Sequence, residues 1–383
     1  MKEPKIRFKG FSGEWKECTL SNIITVNSGK DYKHLEKGTI PVYGTGGYML
    51  SVNTSLSEHD AIGIGRKGTI DKPQYLNAPF WTVDTLFFLT TNNGDNLDFL
   101  FNLSQNIRWQ KYDESTGVPS LSKNNIDKIK TCIPNKFEQQ SVASFFTSLD
   151  AQISASTTRL ASLKQMKAAS LQAMFPQEGE TVPKVRFKGF EGEWKKVKLS
   201  ECLEISTTRN LNNEYGVNEV LSVSDEEGVM NQIKLLGRSY AGKSVTNYKI
   251  LRTNQVVYTK SPLKAKPYGI VKVNKGETGI VSVLYAVYDA KECVSPDYIH
   301  YYFEPTFRIN NYLLPLINKG AKNTMNISDE VSLQGDIILP NTLEEQLRIV
   351  EYLQSLDRQI ALHTQRLEKL KQIKAACLDK MFV

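Results

Sequence analysis

The chain has 383 residues, of which 40% are hydrophobic and 23% are charged, and this composition predicts a soluble globular protein of two or three domains. No apolar run approaches the ~20 residues that span a membrane, and no signal-type segment follows Met1, so a cytoplasmic location is expected. Five widely separated cysteines and four histidines argue against a disulfide framework and against a metal site. The net charge of +7 supports nucleic-acid binding only weakly, because residues 14–134 carry 12 basic and 13 acidic side chains and residues 196–340 carry 17 and 15.

A twelve-residue motif occurs twice in the sequence. Pro4–Trp15 and Pro183–Trp194 share ten of their twelve residues and differ only at two positions, where Ile6 becomes Val185 and Ser12 becomes Glu191. This degree of identity indicates an internal duplication. Each half of the chain therefore consists of the motif, a variable region and a long segment with helical periodicity.

The two variable regions differ in sequence but share an outline of short strands and turns, which predicts an α+β fold for each. Tyr43–Gly47 predicts a turn between strands. Both regions then contain a predicted strand followed by a helix: Leu86–Leu89 and Leu97–Asn102 in the first, and Val283–Val287 and Pro296–Tyr301 in the second. Each region closes with a glycine-containing segment, 117–124 or 320–328, and a short strand.

Two segments of about 40 residues, beginning at Asn135 and Thr342, predict helices of roughly 60 Å. Each opens with a capping-box pattern, in which Asn135 precedes Glu138 and Thr342 precedes Glu345. Apolar residues recur at helical spacing in both copies, with an offset of 207: Val142, Phe146, Leu149, Ile153, Leu160, Leu163 and Met174, and then Ile349, Leu353, Leu356, Ile360, Leu367, Leu370 and Met381. We expect these two stripes to pack on each other; the alternative is that each packs on its own domain.

Motifs for catalysis or cofactor binding are weak in this sequence. Gly63-x-Gly65-x-x-Gly68 matches a dinucleotide fingerprint, but the Thr-Ile-Asp-Lys-Pro that follows cannot begin the helix that this site requires. Asn77–Phe80 is similar to the Asn/Asp-Pro-Pro-Phe/Tyr box of amino-methyltransferases, with Ala78 in place of the first proline. We therefore predict no catalytic residues, no metal and no cofactor on this chain.

The basic loops are better candidates for a functional site, because lysine and arginine neutralise phosphates and arginine, lysine and asparagine bind base edges. The aromatic rings near these loops are expected either to stack or to pack beside the basic residues. The alternative for each is a solvated loop. The candidate DNA-binding residues are Tyr43, Arg66, Lys67, Lys72, Trp81, Lys123 and Asn124 in the first half, and Tyr258, Lys260, Lys264, Lys266, Tyr268, Lys322 and Asn323 in the second.

Over its whole length the chain resembles the specificity subunit of type I restriction–modification systems. The resemblance rests on Phe-Lys-Gly-Phe-x-Gly-Glu-Trp at the start of each half, and on the pattern Glu-Gln…Leu-Asp…Arg-Leu…Leu-Lys in each long helix, which begins at Glu138 and again at Glu345. It implies target recognition domains at 1–134 and 179–340, separated by conserved long helices at 135–178 and 341–383 that pack as an antiparallel coiled coil with pseudo-twofold symmetry.

The same resemblance implies a non-catalytic DNA-binding subunit with a bipartite target. Its partners would be double-stranded DNA, two modification subunits that carry S-adenosylmethionine, and restriction subunits, with no membrane. Because the two variable regions differ in sequence and length, the target should be asymmetric. The alternatives from other classes are a self-contained DNA methyltransferase or nuclease, whose motifs are missing, and a coiled-coil scaffold without DNA affinity.

Overall fold

The computed structural model describes residues 3–242, 244–260, 263, 265–319 and 325–383. The chain divides into two compact units: unit 1 comprises Met1–Arg159 with His363–Val383, and unit 2 comprises Leu160–Leu362. Among the described helices, none combines the length and the apolarity that crossing a membrane requires.

Unit 1 is built from short strands, two short helices and parts of two long ones. Its elements are β1 (Lys16–Thr19), β2 (Ile24–Ser28), β3 (Lys37–Gly44), β4 (Gly47–Val52), β5 (Ala61–Gly65), β6 (Gln74–Leu76), β7 (Trp81–Thr82), β8 (Leu86–Thr91), α1 (Leu97–Asn106), α2 (Lys123–Asp127), β9 (Lys130–Ile133) and the first part of α3 (Lys136–Ala173).

Unit 2 repeats this plan with additional short elements. They are β10 (Lys195–Lys198), α4 (Leu199–Cys202), β11 (Leu203–Ile205), β12 (Leu221–Ser224), β13 (Gly228–Asn231), α5 (Gln232–Leu236), β14 (Lys249–Leu251), β15 (Val256–Thr259), β16 (Val271–Val273), β17 (Gly279–Val281), β18 (Tyr285–Ala290), α6 (Pro296–Phe303), α7 (Thr306–Leu313), β19 (Asn318–Lys319), β20 (Met325–Asn326), β21 (Asp336–Leu339) and the first part of α8 (Leu343–Met381). The second part of α3 also belongs to unit 2, and the second part of α8 belongs to unit 1.

The same antiparallel sheet occurs in both units. Its strand order is β2-β8-β5-β6 in unit 1 and β11-β18-β15-β16 in unit 2, and each unit also pairs its first and last strands, β1 with β9 and β10 with β21. Unit 1 adds the sheet β4-β3-β7, whereas unit 2 adds the pairs β12-β13 and β14-β17. The predicted α+β class is therefore confirmed, and the duplication is visible in the shared sheet.

The repeated motif encloses a buried carboxylate at the start of α3. Glu138 is only 1% exposed; Arg7 donates to it through Nε at 2.7 Å and Nη2 at 2.8 Å, and the indole of Trp15 donates at 3.3 Å. Arg7 also donates to the carbonyl of Gly13 at 2.5 Å, and Gly13 has a φ of +82°, a backbone conformation that favours glycine. The hydrogen bond to Glu138 raises the pKa of the Arg7 guanidinium.

Unit 2 repeats this arrangement residue for residue. Glu345 accepts from Arg186 at 2.7 and 2.9 Å and from the indole of Trp194 at 3.2 Å. The neighbouring glutamine is buried in both units: Gln139 accepts from the backbone of Asn96, and Gln346 accepts from the backbone of Ser295, each at 3.0 Å. The sequence Glu-Gln thus anchors the helix start to the sheet domain.

The predicted capping boxes are half correct. The backbone of Glu138 donates to the side chain of Asn135 at 3.0 Å, and that of Glu345 donates to Thr342 at 3.3 Å, as expected of an N-cap. The glutamates do not return the bond to the cap backbone, because their carboxylates are taken up by Arg7 and Arg186 instead.

The two long helices pair in opposite directions within each unit. In unit 1, Lys374 of α8 lies 2.6 Å from Asp150 of α3. In unit 2, Lys167 of α3 lies 2.7 Å from Asp357 of α8, which is the same pair 207 residues on with the helices exchanged. The antiparallel pairing is therefore confirmed in both units.

Most of the predicted apolar stripe is buried. The buried members are Val142, Phe146, Leu149, Leu163, Met174, Ile349, Leu353, Leu356, Leu367, Leu370 and Met381, whereas Ile153, Leu160 and Ile360 are half-buried. Part of the stripe packs on the sheet domains as well, since Val142 and Phe146 belong to the core of unit 1 and Ile349 and Leu353 to that of unit 2.

A phenylalanine from the end of the other long helix completes each core. In unit 1 the ring of Phe382 lies 5.4 Å from Phe99 and 5.9 Å from Phe146. In unit 2 the ring of Phe175 lies 5.4 Å from Tyr298 and 6.0 Å from Tyr302. The core of unit 1 therefore depends on residues that are far from it in the sequence.

We expect Arg7→Ala to lower the unfolding free energy of unit 1 by about 3–5 kcal/mol, because it leaves the buried Glu138 carboxylate without its cation. Adding Glu138→Gln should recover part of the loss, since a neutral amide needs no counter-charge. Urea unfolding followed by hydrogen exchange in α1 and β8 measures this. The control is Lys371→Ala, which removes an exposed pair with Glu368 and should change stability by less than about 1 kcal/mol. Equal effects of Arg7→Ala and Lys371→Ala would show that the buried pair does not stabilise unit 1.

Candidate nucleic-acid interface

The basic loop of unit 1 connects β5 to β6, and its backbone is held on both sides. The N–H groups of Arg66 and Lys67 both donate to the carbonyl of Thr85, at 2.7 and 3.3 Å. On the other side, Gly68 donates to the carbonyl of Pro119 at 2.9 Å. The loop therefore has a fixed backbone from which its side chains project.

The three predicted cations of this loop are exposed: Arg66, Lys67 and Lys72. The Arg66 guanidinium donates to the carbonyl of Asp84 at 3.4 Å and lies 5.8 Å from the ring centroid of Phe87. In the part of the chain that the structure describes, none of the three forms an ion pair. Exposed cations on a fixed backbone can bind DNA phosphates or the edge of a guanine in the major groove.

The β3–β4 hairpin lies beside this loop. Gln74 donates to the carbonyls of Gly44 and Thr45, at 2.9 and 3.2 Å, and so holds the predicted β3–β4 turn against β6. In that hairpin the half-buried Tyr43 contacts Tyr48, with ring centroids 6.5 Å apart. Tyr48 is 63% exposed and was not among the sequence candidates, because alternation of short strands does not show which ring faces the solvent.

The candidates Lys123 and Asn124 form the exposed first turn of α2, which Ser122 caps. Leu121, just before this turn, donates its N–H to the carbonyl of Arg66 at 2.9 Å. The structure thus brings Arg66, Lys67, Lys123 and Asn124 into one region of unit 1.

Trp81 and Tyr258 are buried, so they take the packing role and not the stacking role of the two that were predicted for the aromatic candidates. Trp81 is 5% exposed, and its indole donates to the carbonyl of Lys30 at 2.9 Å. Tyr258 is 3% exposed and donates to the carbonyl of Tyr268 at 2.9 Å; burial raises the pKa of its hydroxyl. Each side chain therefore stabilises a loop of its own unit from inside, and Tyr268, whose carbonyl accepts from Tyr258, is half-buried.

The basic loop of unit 2 connects β15 to β16, the strands that correspond to β5 and β6, but its lysines are paired. Lys260 lies 2.7 Å from one carboxylate oxygen of Asp329, and Lys249 bonds the other. Burial raises the pKa of Asp329, but hydrogen bonds from Lys249 and then from Lys260 outweigh it, so that the pKa lies below its ordinary value. Lys260 is thus neutralised by Asp329 in this structure, and its contact with a DNA phosphate stays a prediction.

Lys266 is also neutralised. Its ammonium lies 2.9 Å from Asp225 in the β12–β13 turn and donates to the carbonyl of Glu304 at 3.0 Å, and its side chain is 12% exposed. Lys266 is therefore paired with a carboxylate in this structure, and its contact with a DNA phosphate stays a prediction. The remaining candidates of unit 2, Lys264, Lys322 and Asn323, lie outside the described residues.

One short segment of unit 2 is rich in basic residues, although the charge count over the whole of residues 196–340 is nearly balanced. Residues 228–276 contain ten lysines and arginines and no acidic residue. Of the eight that the structure describes, acidic residues outside this segment neutralise five: Lys249, Lys260, Lys266, Lys272 and Lys275. Lys234, Arg238 and Arg252 are exposed instead. A charge count in a short window would have found this segment from the sequence.

Comparisons with known proteins agree on one family. A family model described as the type I restriction modification DNA specificity domain matches residues 12–165 and 191–372. A search of curated proteins gave no match.

Solved structures were compared as well, and the first of them shares the fold of this chain. The S subunit of a type I restriction-modification system from M. genitalium has a TM-score of 0.67 at 11% identity, and the alignment covers 100% of this chain and 99% of that one, so the fold is shared. The HsdS subunit from Thermoanaerobacter tengcongensis has a TM-score of 0.44 at 17% identity, with 100% and 99% coverage. A chain from a study of complex assembly and conformational transition of the type I R-M system has a TM-score of 0.49 at 16% identity, with 96% and 97% coverage.

Replacing Asp329 by asparagine leaves the buried Lys249 without a counter-charge, and we expect a loss of about 3 kcal/mol in the unfolding free energy of unit 2 at pH 7. The Asp329 pKa is lowered from 3.8, so the ion pairs contribute fully above this ordinary value and are lost as pH falls through the folded-state pKa. The difference between the two proteins should be constant from pH 5 to 8 and should shrink below about pH 4.

Urea unfolding between pH 3 and 8 measures this difference. Asp336→Asn is the matched control, because Asp336 pairs with Lys196 and Lys198 at the surface and should contribute less than about 1 kcal/mol. A difference that grows as the pH falls below 4 would contradict the assignment.

Proposed function

Because the chain belongs to the type I restriction modification DNA specificity family, we propose that it binds a bipartite, asymmetric DNA target and directs modification and restriction subunits to it. The observation that carries this proposal is that the two units share one frame, made of the repeated motif, the four-stranded sheet and the start of a long helix, but have different loops. Both units have the same four-stranded sheet and the same buried Glu–Arg–Trp contact at a helix start. The loops that this frame presents differ in length, sequence and charge pairing. Two such units would bind two different half-sites.

Unit 1 would bind its half-site through the region around Arg66. The cations there are exposed and the backbone beneath them is fixed, so little conformational entropy is lost when they bind DNA. Unit 2 would bind its half-site through the acid-free segment 228–276. Its loop lysines would act less as phosphate ligands than as structural cations, because Asp225 and Asp329 neutralise them.

The chemistry would belong to the partners. The sequence motifs of this chain include no methyl-donor or nuclease site, and S-adenosylmethionine would bind the modification subunits. Exposed apolar side chains on the long helices favour protein partners there: Phe137 is 84% exposed on α3, and Leu347 and Leu362 are 49% and 66% exposed on α8. We propose that two modification subunits cover the paired helices and that restriction subunits join this complex.

Methylation mapping tests the proposal. The complete complex is expressed in a host, and modified positions are mapped across the genome. We expect one asymmetric sequence of two half-sites separated by a gap of constant length. Exchange of residues 16–133 for the corresponding region of a family member with another target should change one half-site only. A change in both half-sites, or methylation that does not depend on this chain, would overturn the proposal.

Arg66→Ala should weaken binding of the assembled complex to its mapped target by about 1–3 kcal/mol, because a bidentate arginine–guanine contact is lost. Binding to an unrelated duplex should change much less. Lys72→Ala should instead weaken binding to both duplexes and reduce the salt slope by about one. Fluorescence anisotropy at several salt concentrations separates the two effects, with the exposed Lys16→Ala as control. Unchanged affinity in both variants would show that the interface of unit 1 lies elsewhere.

We further propose that the length of the paired helices sets the gap between the half-sites. Inserting four residues after Thr157 and four after Thr364 adds about 6 Å of helix and rotates the apolar stripe by only ~40°. The gap should lengthen by roughly one or two base pairs at ~3.4 Å each, while both half-sites stay unchanged. Two-residue insertions rotate the stripe by ~200° and should prevent assembly. Methylation mapping of the four-residue variant decides: a new half-site with the old gap would contradict the proposal.

A further inference from the structure

An arginine in unit 2 is held against an exposed aromatic ring. The guanidinium carbon of Arg238 lies 4.6 Å from the ring centroid of Tyr240, and the Tyr240 side chain is 59% exposed. Both residues lie in the α5 loop, defined here as residues 232–240. Arg238 forms no ion pair among the residues that the structure describes, so its donors are available to a ligand. A stacked guanidinium keeps its N–H edge free while its plane is fixed.

Hydrogen bonds at both ends of α5 fix the conformation of the α5 loop. Asn231 caps α5 by accepting from the backbone of Ile233 and Lys234. Gly237 ends the helix with a φ of +78°, where its N–H donates to the carbonyl of Ile233 at 2.8 Å. The Arg238–Tyr240 turn is therefore positioned by the end of α5 before any ligand binds.

A single glutamine side chain holds the rest of the loop. The oxygen of Gln232 accepts from the backbone of Tyr240 at 2.6 Å, and its nitrogen donates to Ser222 of β12 at 3.0 Å. Arg238 and Tyr240 thus have a fixed position relative to the β12–β13 hairpin. Binding through a preorganised pair costs less conformational entropy than binding through a free surface arginine.

The composition of this surface favours DNA as the ligand. Lys234 and Arg238 are its charged residues, and segment 228–276 contains no carboxylate. Beside them, Leu236 is 49% exposed and Ile233 is 36% exposed. Cations combined with exposed aromatic and aliphatic groups are typical of elements that contact phosphates and pack on sugars or base steps. An acidic protein partner would satisfy the cations but would not require the stacked ring.

The hairpin also sets the distance between this loop and the basic loop of unit 2. Asp225, in the turn of the hairpin, pairs with Lys266, whereas α5 follows β13 at the hairpin's other end. The four residues of β13 span about 13 Å at ~3.3 Å per residue. Along B-DNA this distance corresponds to about four base pairs.

We propose that the α5 loop is a second DNA-contacting element of unit 2, in which Arg238, oriented by Tyr240, binds the duplex about four base pairs from the point opposite the hairpin turn, where Asp225 pairs with Lys266. This inference rests on the proposed function and extends it, because it adds a contact outside the two basic loops. It predicts that unit 2 has a longer footprint on DNA than its basic loop alone would give.

Anisotropy with the assembled complex and a labelled 40-base-pair duplex that carries the mapped target tests the proposal. Arg238→Ala should weaken binding about tenfold, which is the effect of one charge-assisted hydrogen bond, and should reduce the salt slope by about one. Tyr240→Ala should weaken binding several-fold, because the guanidinium is no longer oriented. Tyr240→Phe retains the ring and should bind as the unmodified protein does. Arg238→Glu should weaken binding more than Arg238→Ala.

Arg66→Ala in the same assay separates this inference from the proposed function. If Arg66→Ala weakens binding and neither Arg238→Ala nor Arg238→Glu does, the α5 loop does not contact DNA and the proposed function stands. If none of the three changes affinity, both the loop assignment and the DNA interface of unit 1 are wrong. If Arg238→Glu lowers the yield of complex while the complex that forms binds DNA normally, the loop contacts a protein and the inference fails.

Discussion

A carboxylate buried at the start of each long helix is the constraint on which the remaining structure depends. A buried glutamate is unfavourable unless a cation and hydrogen-bond donors accompany it into the interior. Glu138 obtains these from Arg7 and Trp15, and Glu345 obtains them from Arg186 and Trp194. The repeated twelve-residue motif therefore exists in the folded chain as the counterpart of the Glu-Gln pair that begins each helix. Loss of either partner leaves the other in an unfavourable state.

The contact of the glutamate with arginine and tryptophan belongs to the part of the structure that is the same in both units. The loops are the part that differs between them. The motif, the four-stranded sheet and the helix start support one another through buried side chains. Loops that leave this frame, such as the β5–β6 loop of unit 1 and the β12–β13 hairpin of unit 2, carry side chains that are exposed to solvent. Unit 1 and unit 2 have accordingly diverged in those loops while the frame repeats. Under the proposed function, such a division allows the DNA target to change while the long helices stay the same.

The sequence predicted the frame well because periodicity and caps are local properties. The long helices, the strands at Leu86–Thr91 and Tyr285–Ala290, and the N-caps at Asn135 and Thr342 all follow from short-range patterns. Burial and ion pairing follow from tertiary contacts, which is why Trp81 and Tyr258 proved to be internal and Lys260 and Lys266 proved to be neutralised. The carboxylates that pair with those lysines lie about 40 to 70 residues away in the chain. The Arg238–Tyr240 pair was missed for another reason, since charge was averaged over too long a region.

Phe382, which follows α8, contributes an aromatic ring to the core of unit 1. This has a consequence for folding during synthesis on the ribosome. Unit 2 uses only residues 160–362, a continuous stretch, whereas unit 1 also needs residues 363–383. From Arg159 to His363 the ribosome adds 363 − 159 = 204 residues, which takes roughly 10–40 s at about 5–20 residues per second. During that interval the first half of the chain has emerged without Phe382, and its hydrophobic core remains open. The half that is translated first is thus the last to complete its fold.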